Sequence, residues 1–166
     1  MTLHLRPALA SDAPALTRFL RGIAAEKLDT LTQRPDWTPE LTLAWLTPKI
    51  SGAGSFVLLA LDGEDVVGAL DLTCGEQTHY RHSAYLGMSV SRDWRGRGVG
   101  RQLLEEAIQL AQQDPLKCRI ELHCAPWNTA AVRLYESVGF VVEAVRRKGI
   151  NLRGQPEADL TMVLVW

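Results

Sequence analysis

Residues 90–101 read V-S-R-D-W-R-G-R-G-V-G-R, and this stretch decides the fold prediction. It follows a mostly apolar run, residues 84–90, and leads into a helical pattern that begins near Gly98. Glycines let a backbone come close to a ligand, and the first free N–H groups of a helix point at an anion. A strand that enters a helix through a turn rich in glycine and arginine therefore predicts a site for phosphate groups.

The spacing of the glycines selects among phosphate-binding loops. A Walker loop would need Lys and then Ser or Thr after its last glycine, but Arg101 and Gln102 follow Gly100. The dinucleotide fingerprint G-x-G-x-x-G does not fit glycines at 96, 98 and 100. The pattern resembles instead the R-x-x-G-x-G signature of the GCN5-related N-acetyltransferases, the GNAT family, with Arg95, Gly98 and Gly100 in the signature places.

A second segment, N-T-A-A-V-R-L-Y-E-S-V-G-F at residues 128–140, resembles the N-x-x-A-x-x-L-Y-E-x-x-G-F segment of the same family. Asn128 is suited to cap a helix, and Gly139 is suited to the left-handed position that ends one. Phe140 would then fold back onto the helix as its hydrophobic partner. Two motifs in the family's order and spacing make the resemblance specific, and it covers nearly the whole chain.

The resemblance implies an α/β (α+β) fold of the GNAT type. It has a mixed, mostly antiparallel central sheet of about seven strands, flanked by about four helices, with splayed strands at the acetyl-CoA site. The hydrophobic patterns give the element order β-α-α-β-β-β-α-β-α-β-β, and a length of 166 residues predicts one domain over residues 1–166.

Several boundaries follow from local signals. Ser11 and Asp12 are predicted to cap the first helix, and Thr38 with Pro39 to open a second helix through about Pro48. The last two strands are expected near 141–147 and 159–165, with a polar turn between them over residues 149–156.

The resemblance also implies a set of residues that bind the co-substrate, acetyl-CoA. The Arg95–Arg101 turn would hold the pyrophosphate, the backbone of Met88–Val90 would pair with the pantetheine arm, and the N–H of Met88 would polarise the acetyl carbonyl. Tyr135 is the candidate proton source for the departing thiolate, because a phenol pKa of about 10 is close to that of an alkyl thiol. The full cofactor set is Met88, Ser89, Val90, Arg95, Gly96, Arg97, Gly98, Val99, Gly100, Arg101, Asn128 and Tyr135.

The general base is less defined by the sequence. Residues 84–90 contain no carboxylate, so the carboxylate that some family members carry on this strand is missing. His82 lies just before the strand and titrates in a suitable range, and it is our first candidate. His79, His123, Glu26 and Asp29 are the other options, acting directly or through water.

Composition excludes several classes of partner. With 18 basic and 19 acidic side chains and a net charge of −1, the chain offers no global field for nucleic acid or anionic lipid. No apolar stretch approaches the ~20 residues that span a bilayer, and the N-terminus lacks the pattern of a signal peptide. The three cysteines show no metal-type spacing, so we expect no metal and a cytoplasmic protein with reduced thiols.

The expected function is acetyl transfer from acetyl-CoA to a primary amine of a small molecule, with an L-amino acid as the candidate acceptor. Soft similarities to the bacterial L-amino-acid N-acyltransferases support this choice: residues 81–84, 86–88 and a late pattern that includes Asp159. Residues 26–37, with Glu26, Asp29, Arg34 and Trp37, and residues 81–82 would form the acceptor cleft. A protein N-terminal or lysine acetyltransferase and a non-catalytic acetyl-CoA-binding module are the alternatives, and a homodimer is left open.

Overall fold

The structure is a computed structural model that describes residues 3–26, 35–52, 54–75, 77–152 and 154–166. Over these ranges the chain follows the predicted element order. The strands are β1 (Leu3–Pro7), β2 (Phe56–Asp62), β3 (Asp65–Cys74), β4 (Ser83–Val90), β5 (Arg119–Cys124), β6 (Val141–Leu152) and β7 (Gln155–Val165). The helices are α1 (Ala13–Ala25), α2 (Pro39–Ser51), α3 (Val99–Gln112) and α4 (Thr129–Ser137).

The seven strands form one sheet in the order β1-β2-β3-β4-β5-β7-β6. Every neighbouring pair is antiparallel except β4 and β5, which are parallel. The predicted mixed, mostly antiparallel sheet with helices on both sides is therefore confirmed.

Alternation of side chains divides the sheet into two faces. On one face, Val57 and Leu59 belong to a buried cluster with residues of α1 and α2. On the other face, Leu58, Ala84 and Leu86 belong to a buried cluster with residues of α3 and α4. We call these the α1/α2 face and the α3/α4 face.

Helices α1 and α2 begin where the sequence predicts, but only the predicted side-chain cap of α2 is formed. The Thr38 hydroxyl accepts the Leu41 N–H at 3.2 Å, as predicted, and Pro39 is the first residue of α2. Asp12 precedes α1 but does not cap it, because its carboxylate accepts from the Leu9 N–H and from the Arg6 guanidinium instead. Among the described residues, no helix is long and apolar enough to cross a membrane.

The last hairpin is longer than predicted. β6 continues to Leu152 and pairs with β7 through Leu152↔Gln155, so the predicted turn over residues 149–156 is mostly strand. Between Arg146↔Asp159 and Ile150↔Glu157 the register shifts, because residues 147–149 lie opposite the single residue 158. Gly149 thus belongs to a bulge within the strand, which the sequence pattern alone does not separate from a turn.

Candidate functional site

The central feature of the site is the opening between β4 and β5. The two strands pair only at Ser83↔Arg119, Ala84↔Ile120 and Tyr85↔Glu121. Beyond Tyr85, β4 continues to Val90 on β3, and β5 continues to Cys124 on β7. The strands are therefore splayed, as predicted.

The hydrogen bonds at the two ends of β4 decide which backbone groups face this opening. The Gly75 N–H donates to the Ser83 carbonyl, and the Ser91 N–H donates to the Val67 carbonyl, so odd-numbered residues of β4 bond to β3. The Cys118 N–H donates to the His82 carbonyl, so even-numbered residues point toward β5. Met88 and Val90 consequently present their N–H groups to the opening, whereas the backbone of Ser89 is directed to β3.

The glycine-rich turn lies directly after this end of β4. Gly96 and Gly98 both adopt left-handed conformations, with φ of +72° and +82°. The Gln102 N–H donates to the Gly98 carbonyl at 3.0 Å, which makes Gly98 the N-cap of α3. The N–H groups of the first turn of α3 have no partner within the helix and carry the positive end of its dipole.

The space around the turn fits a phosphate group. A Cβ built on Gly96 meets no described atom within 4 Å, and one built on Gly98 meets only the Gln102 side-chain nitrogen at 3.9 Å. Gly100 has another role, because a Cβ there would lie 3.1 Å from Leu134 and 3.5 Å from Met88. Gly96 and Gly98 therefore leave open space beside a helix N-terminus, whereas Gly100 lets α3 pack closely against α4 and β4.

The arginines of the turn are held by the protein to different degrees. Arg95 donates from Nε to the Val90 carbonyl at 2.9 Å, and its Nη2 lies 2.8 Å from Glu26 Oε2. Arg97 lies over the Trp94 ring, and Arg101 donates to the Ser137 hydroxyl at 2.8 Å. Arg95 thus braces the turn against β4 and the end of α1, and its side chain is engaged before any ligand binds.

Helix α4 brings the second motif to the α3/α4 side of the opening. The Asn128 side chain accepts the Ala131 N–H at 3.3 Å, which confirms the predicted cap, and Gly139 has a φ of +101°. Tyr135 is 8% exposed, and its ring packs at 5.9 Å from the ring of Phe140. Burial raises the pKa of Tyr135 above its ordinary value, with smaller contributions from Cys124 and Tyr85.

The α1/α2 side of the opening carries a different set of side chains. Tyr85 on β4 and His123 on β5 meet edge to face, with ring centroids 5.2 Å apart. His123 Nε2 lies 3.4 Å from Glu121 Oε1. Sequence reasoning missed Tyr85 and Glu121. The alternation of R-I-E-L-H-C in β5 places Glu121 on the same face as His123, and that pattern could have identified Glu121.

The structure does not bring His82 to the opening. His82 is exposed and precedes β4, six residues before Met88, which corresponds to about 20 Å along a strand. Arg81 lies at the same far end. Trp37 is buried in the cluster with α1 and α2, and Glu26 is paired with Arg95, while Asp29 and Arg34 lie outside the described residues.

A sequence model described as the acetyltransferase (GNAT) family matches residues 21–140. The chain belongs to the GNAT family. The matched region includes the splayed strands, the glycine-rich turn and α4, which are the elements that the sequence motifs identified.

Two curated GNAT relatives match about half of the chain. The L-amino acid N-acetyltransferase AaaT of Escherichia coli K12 is 32% identical over 92 residues, which is 55% of this chain and 56% of that protein. The ribosomal protein bS18 alanine N-acetyltransferase of Salmonella typhimurium is 31% identical over 93 residues, which is 55% of this chain and 60% of that protein. The alignments thus span less than two thirds of these relatives.

The fold of a solved GNAT structure matches nearly the whole chain. The GNAT acetyltransferase of Streptococcus pneumoniae superposes with a TM-score of 0.93 at 28% identity, and covers 99% of this chain and 100% of its own. The GNAT fold predicted from the two motifs is confirmed.

Proposed function

We propose that the chain is an acetyl-CoA-dependent N-acetyltransferase that acetylates a primary amine of a small molecule, with an L-amino acid as the first candidate. One observation carries the proposal. The opening between β4 and β5 has the glycine-rich turn and Tyr135 on the α3/α4 side, and His123 with Glu121 on the α1/α2 side. A donor and an acceptor could therefore meet in the opening from opposite faces of the sheet.

The donor side suits acetyl-CoA. The N–H groups that begin α3, with Gly96 and Gly98 before them, would hold the pyrophosphate, and Arg97 and Arg101 add positive charge nearby. The N–H of Val90, which faces the opening, and the α4 cap residue Asn128 would bind the pantetheine arm. When bound, acetyl-CoA supplies a thioester, whose carbonyl carbon forms the new C–N bond as its C–S bond breaks.

Met88 and Tyr135 would serve the two atoms on which charge develops. The Met88 N–H faces the opening and donates a hydrogen bond to the acetyl oxygen, which stabilises the negative charge that develops there. The Tyr135 phenol keeps its proton because burial raises its pKa, and it donates that proton to the departing sulfur.

Burial affects thiols at this position as well. The neighbouring Cys124 thiol has a pKa raised to about 11, chiefly by burial and further by Asp159. Burial would strengthen a thiolate released beside Tyr135 as a base in the same way, so the pKa of the leaving thiol and that of the phenol would rise together.

His123 replaces His82 as the candidate base. It lies on the splayed part of β5, and its Nε2 lies 3.4 Å from Glu121 Oε1. From this position the imidazole would accept a proton from the amine, directly or through water.

A protein N-terminus is the second candidate acceptor. It is favoured by one observation, the similarity to a relative named as an alanine N-acetyltransferase of a ribosomal protein. In both candidates the amine is bonded to an α-carbon. They differ in the group attached to that carbon, which is a carboxylate in a free amino acid and a peptide carbonyl in a protein. A single domain over residues 1–166, a cytoplasmic location and a homodimer belong to the proposal as further expectations.

Free-thiol release from acetyl-CoA tests the function. Wild-type protein is assayed with L-amino acids, spermidine, an aminoglycoside and peptides with a free N-terminal alanine, and products are identified by mass spectrometry. We expect acetylation of at least one L-amino acid and weak activity on spermidine. A higher kcat/KM for spermidine or the peptide than for every amino acid would contradict the proposed amino-acid acceptor. If no amine in the set causes thiol release, the enzyme assignment is contradicted.

A further inference from the structure

An ion pair between β6 and β7 lies on the α1/α2 face of the sheet. Arg146 on β6 donates from Nε to Asp159 Oδ1 at 3.0 Å and from Nη2 to Oδ2 at 2.6 Å. The Asp159 side chain is 1% exposed, while that of Arg146 is 40% exposed. Asp159 is two residues from Thr161, the partner of His123 on β7, so the pair and His123 share one face.

The bulge in β6 accommodates this pair. Gly149 lies in the bulge, and a Cβ there would overlap Asp159 Oδ1. Its carbonyl accepts a further hydrogen bond from Arg146 Nη2 at 3.3 Å, and Lys148 takes a φ of +55° to complete the bulge. Bulges of this kind re-aim side chains and are common beside active sites. Here the bulge fixes the guanidinium over the sheet.

Arg146 retains unused donors on that face. Its bonds to Asp159 and Gly149 use Nε and Nη2, and Nη1 has no hydrogen-bond partner among the described residues. The guanidinium is also close enough to Tyr85 and Glu121 for both to raise its pKa slightly, after the larger effect of Asp159. Nη1 is therefore an unused donor of a half-exposed guanidinium that shares this face with Tyr85 and Glu121.

Two other cations on this face, Arg119 and Lys49, are already engaged. Arg119 donates to both carboxylate oxygens of Glu143 and to Glu121. Lys49 binds Asp71 and Thr73. Unlike these two, Arg146 combines a fixed position with an unused donor.

We propose that the Nη1 edge of Arg146 binds the carboxylate of the acceptor, so that the substrate class is free α-amino acids. The inference rests on the proposed function. The unused Nη1 donor and the charge of the guanidinium favour a carboxylate, because a hydrogen bond between two charged groups is roughly twice as strong as a neutral one, so a peptide carbonyl is the poorer ligand. Asp159 is a positioning residue, because it locks the guanidinium and touches no reacting atom.

The test compares acceptors that differ only at the carboxylate. L-leucine, L-leucinamide and 3-methylbutylamine are assayed by thiol release with wild type, Arg146→Lys and the control Arg147→Lys, whose side chain is exposed in the same bulge. Lysine can still neutralise Asp159 but lacks the guanidinium edge. Binding of N-acetyl-L-leucine and N-acetyl-L-leucinamide in the presence of CoA is measured by calorimetry as a readout independent of turnover.

Arg146→Lys is expected to raise KM for leucine and Kd for N-acetyl-L-leucine at least tenfold, while values for the other ligands change less than twofold and Arg147→Lys resembles wild type. If Arg146→Lys does not fold, the double variant R146Q/D159N, which removes both charges, is expected to show the same selectivity. An equal loss for all three acceptors, or no loss for leucine, overturns the inference and leaves the acetyltransferase assignment standing. Thiol release from no acceptor with wild type would overturn both.

Discussion

Tyr85 pairs with Glu121 at the last point where β4 and β5 are joined, and beyond this pair the strands run apart. The divergence leaves the Met88 N–H without a strand neighbour on the β5 side, and His123, whose side chain is 17% exposed, lies on the other arm. Because each arm is held by its own neighbour, β3 or β7, the opening is fixed by the sheet. The chemistry we assign to this protein depends on that opening.

Tyr135→Phe separates catalysis from binding. The ring remains packed on Phe140, so we expect acetyl-CoA affinity to stay within about twofold of wild type, while kcat falls by ~10²-fold because the proton donor is lost. Tyr80→Phe, at a tyrosine that is 60% exposed, is the matched control. Turnover by Tyr135→Phe at the wild-type rate would make Tyr135 a packing residue and water the acid.

His123→Gln and His82→Gln are expected to have opposite outcomes for kcat/KM. We expect His123→Gln to lower kcat/KM by ~10²-fold, because the group that accepts the proton of the amine is lost. His82→Gln should behave as wild type, since His82 lies at the far end of β4. The reverse result would restore His82 as the base.

Arg95 and Glu26 should act as a unit on cofactor binding. Since Arg95 contacts the Val90 carbonyl and Glu26, its loss loosens the turn more than it removes a phosphate ligand. Arg95→Ala and Glu26→Ala are each expected to weaken acetyl-CoA binding less than tenfold, and the double variant should be no weaker than Arg95→Ala. As a control, Arg95→Ala is combined with Glu64→Ala, a change in an exposed turn, and the effects of these two changes on acetyl-CoA affinity should be additive. Additive losses for Arg95 and Glu26 would show that they act separately.

Gly100→Val is expected to act mainly on stability. Its side chain would press on Leu134 and Met88, and overpacking of this kind costs about 1–3 kcal/mol in unfolding free energy. Denaturant unfolding of wild type and Gly100→Val measures this cost. An unchanged unfolding midpoint together with lost acetyl-CoA binding would instead place Gly100 in direct contact with the ligand.

The fold was predictable where glycines and caps constrain the backbone. Gly98, Asn128 and Gly139 mark the start of α3 and both ends of α4, and the structure has them in the expected conformations. The bulge at Gly149 was not predictable, because the same glycine suits a turn or a bulge, and only the buried carboxylate of Asp159 decides between them.

The sequence defines the donor side of the candidate site more closely than the acceptor side, where it offers His123 only as one of several candidate bases. The donor side depends on a local motif, residues 95–101, whereas the acceptor side joins β4, β5, β6 and β7 through contacts distant in sequence. His82 is close to Met88 in sequence, but a strand separates them by its full length. The sequence also assigns the Ser89 backbone to the ligand, whereas the structure directs it to β3. The bonds at Gly75 and Ser91 that set this direction are not visible in the sequence.

Calorimetric titration of acetyl-CoA into wild type, Gly98→Val and Gly63→Val tests the central claim most directly. Gly98 and Gly63 share a left-handed backbone and open surroundings, with φ of +82° and +61°, so both variants carry similar strain, but only Gly98 borders the proposed pyrophosphate site. We predict wild-type affinity for Gly63→Val and a loss of at least 100-fold for Gly98→Val. A folded Gly98→Val protein that binds acetyl-CoA as tightly as wild type would contradict the account.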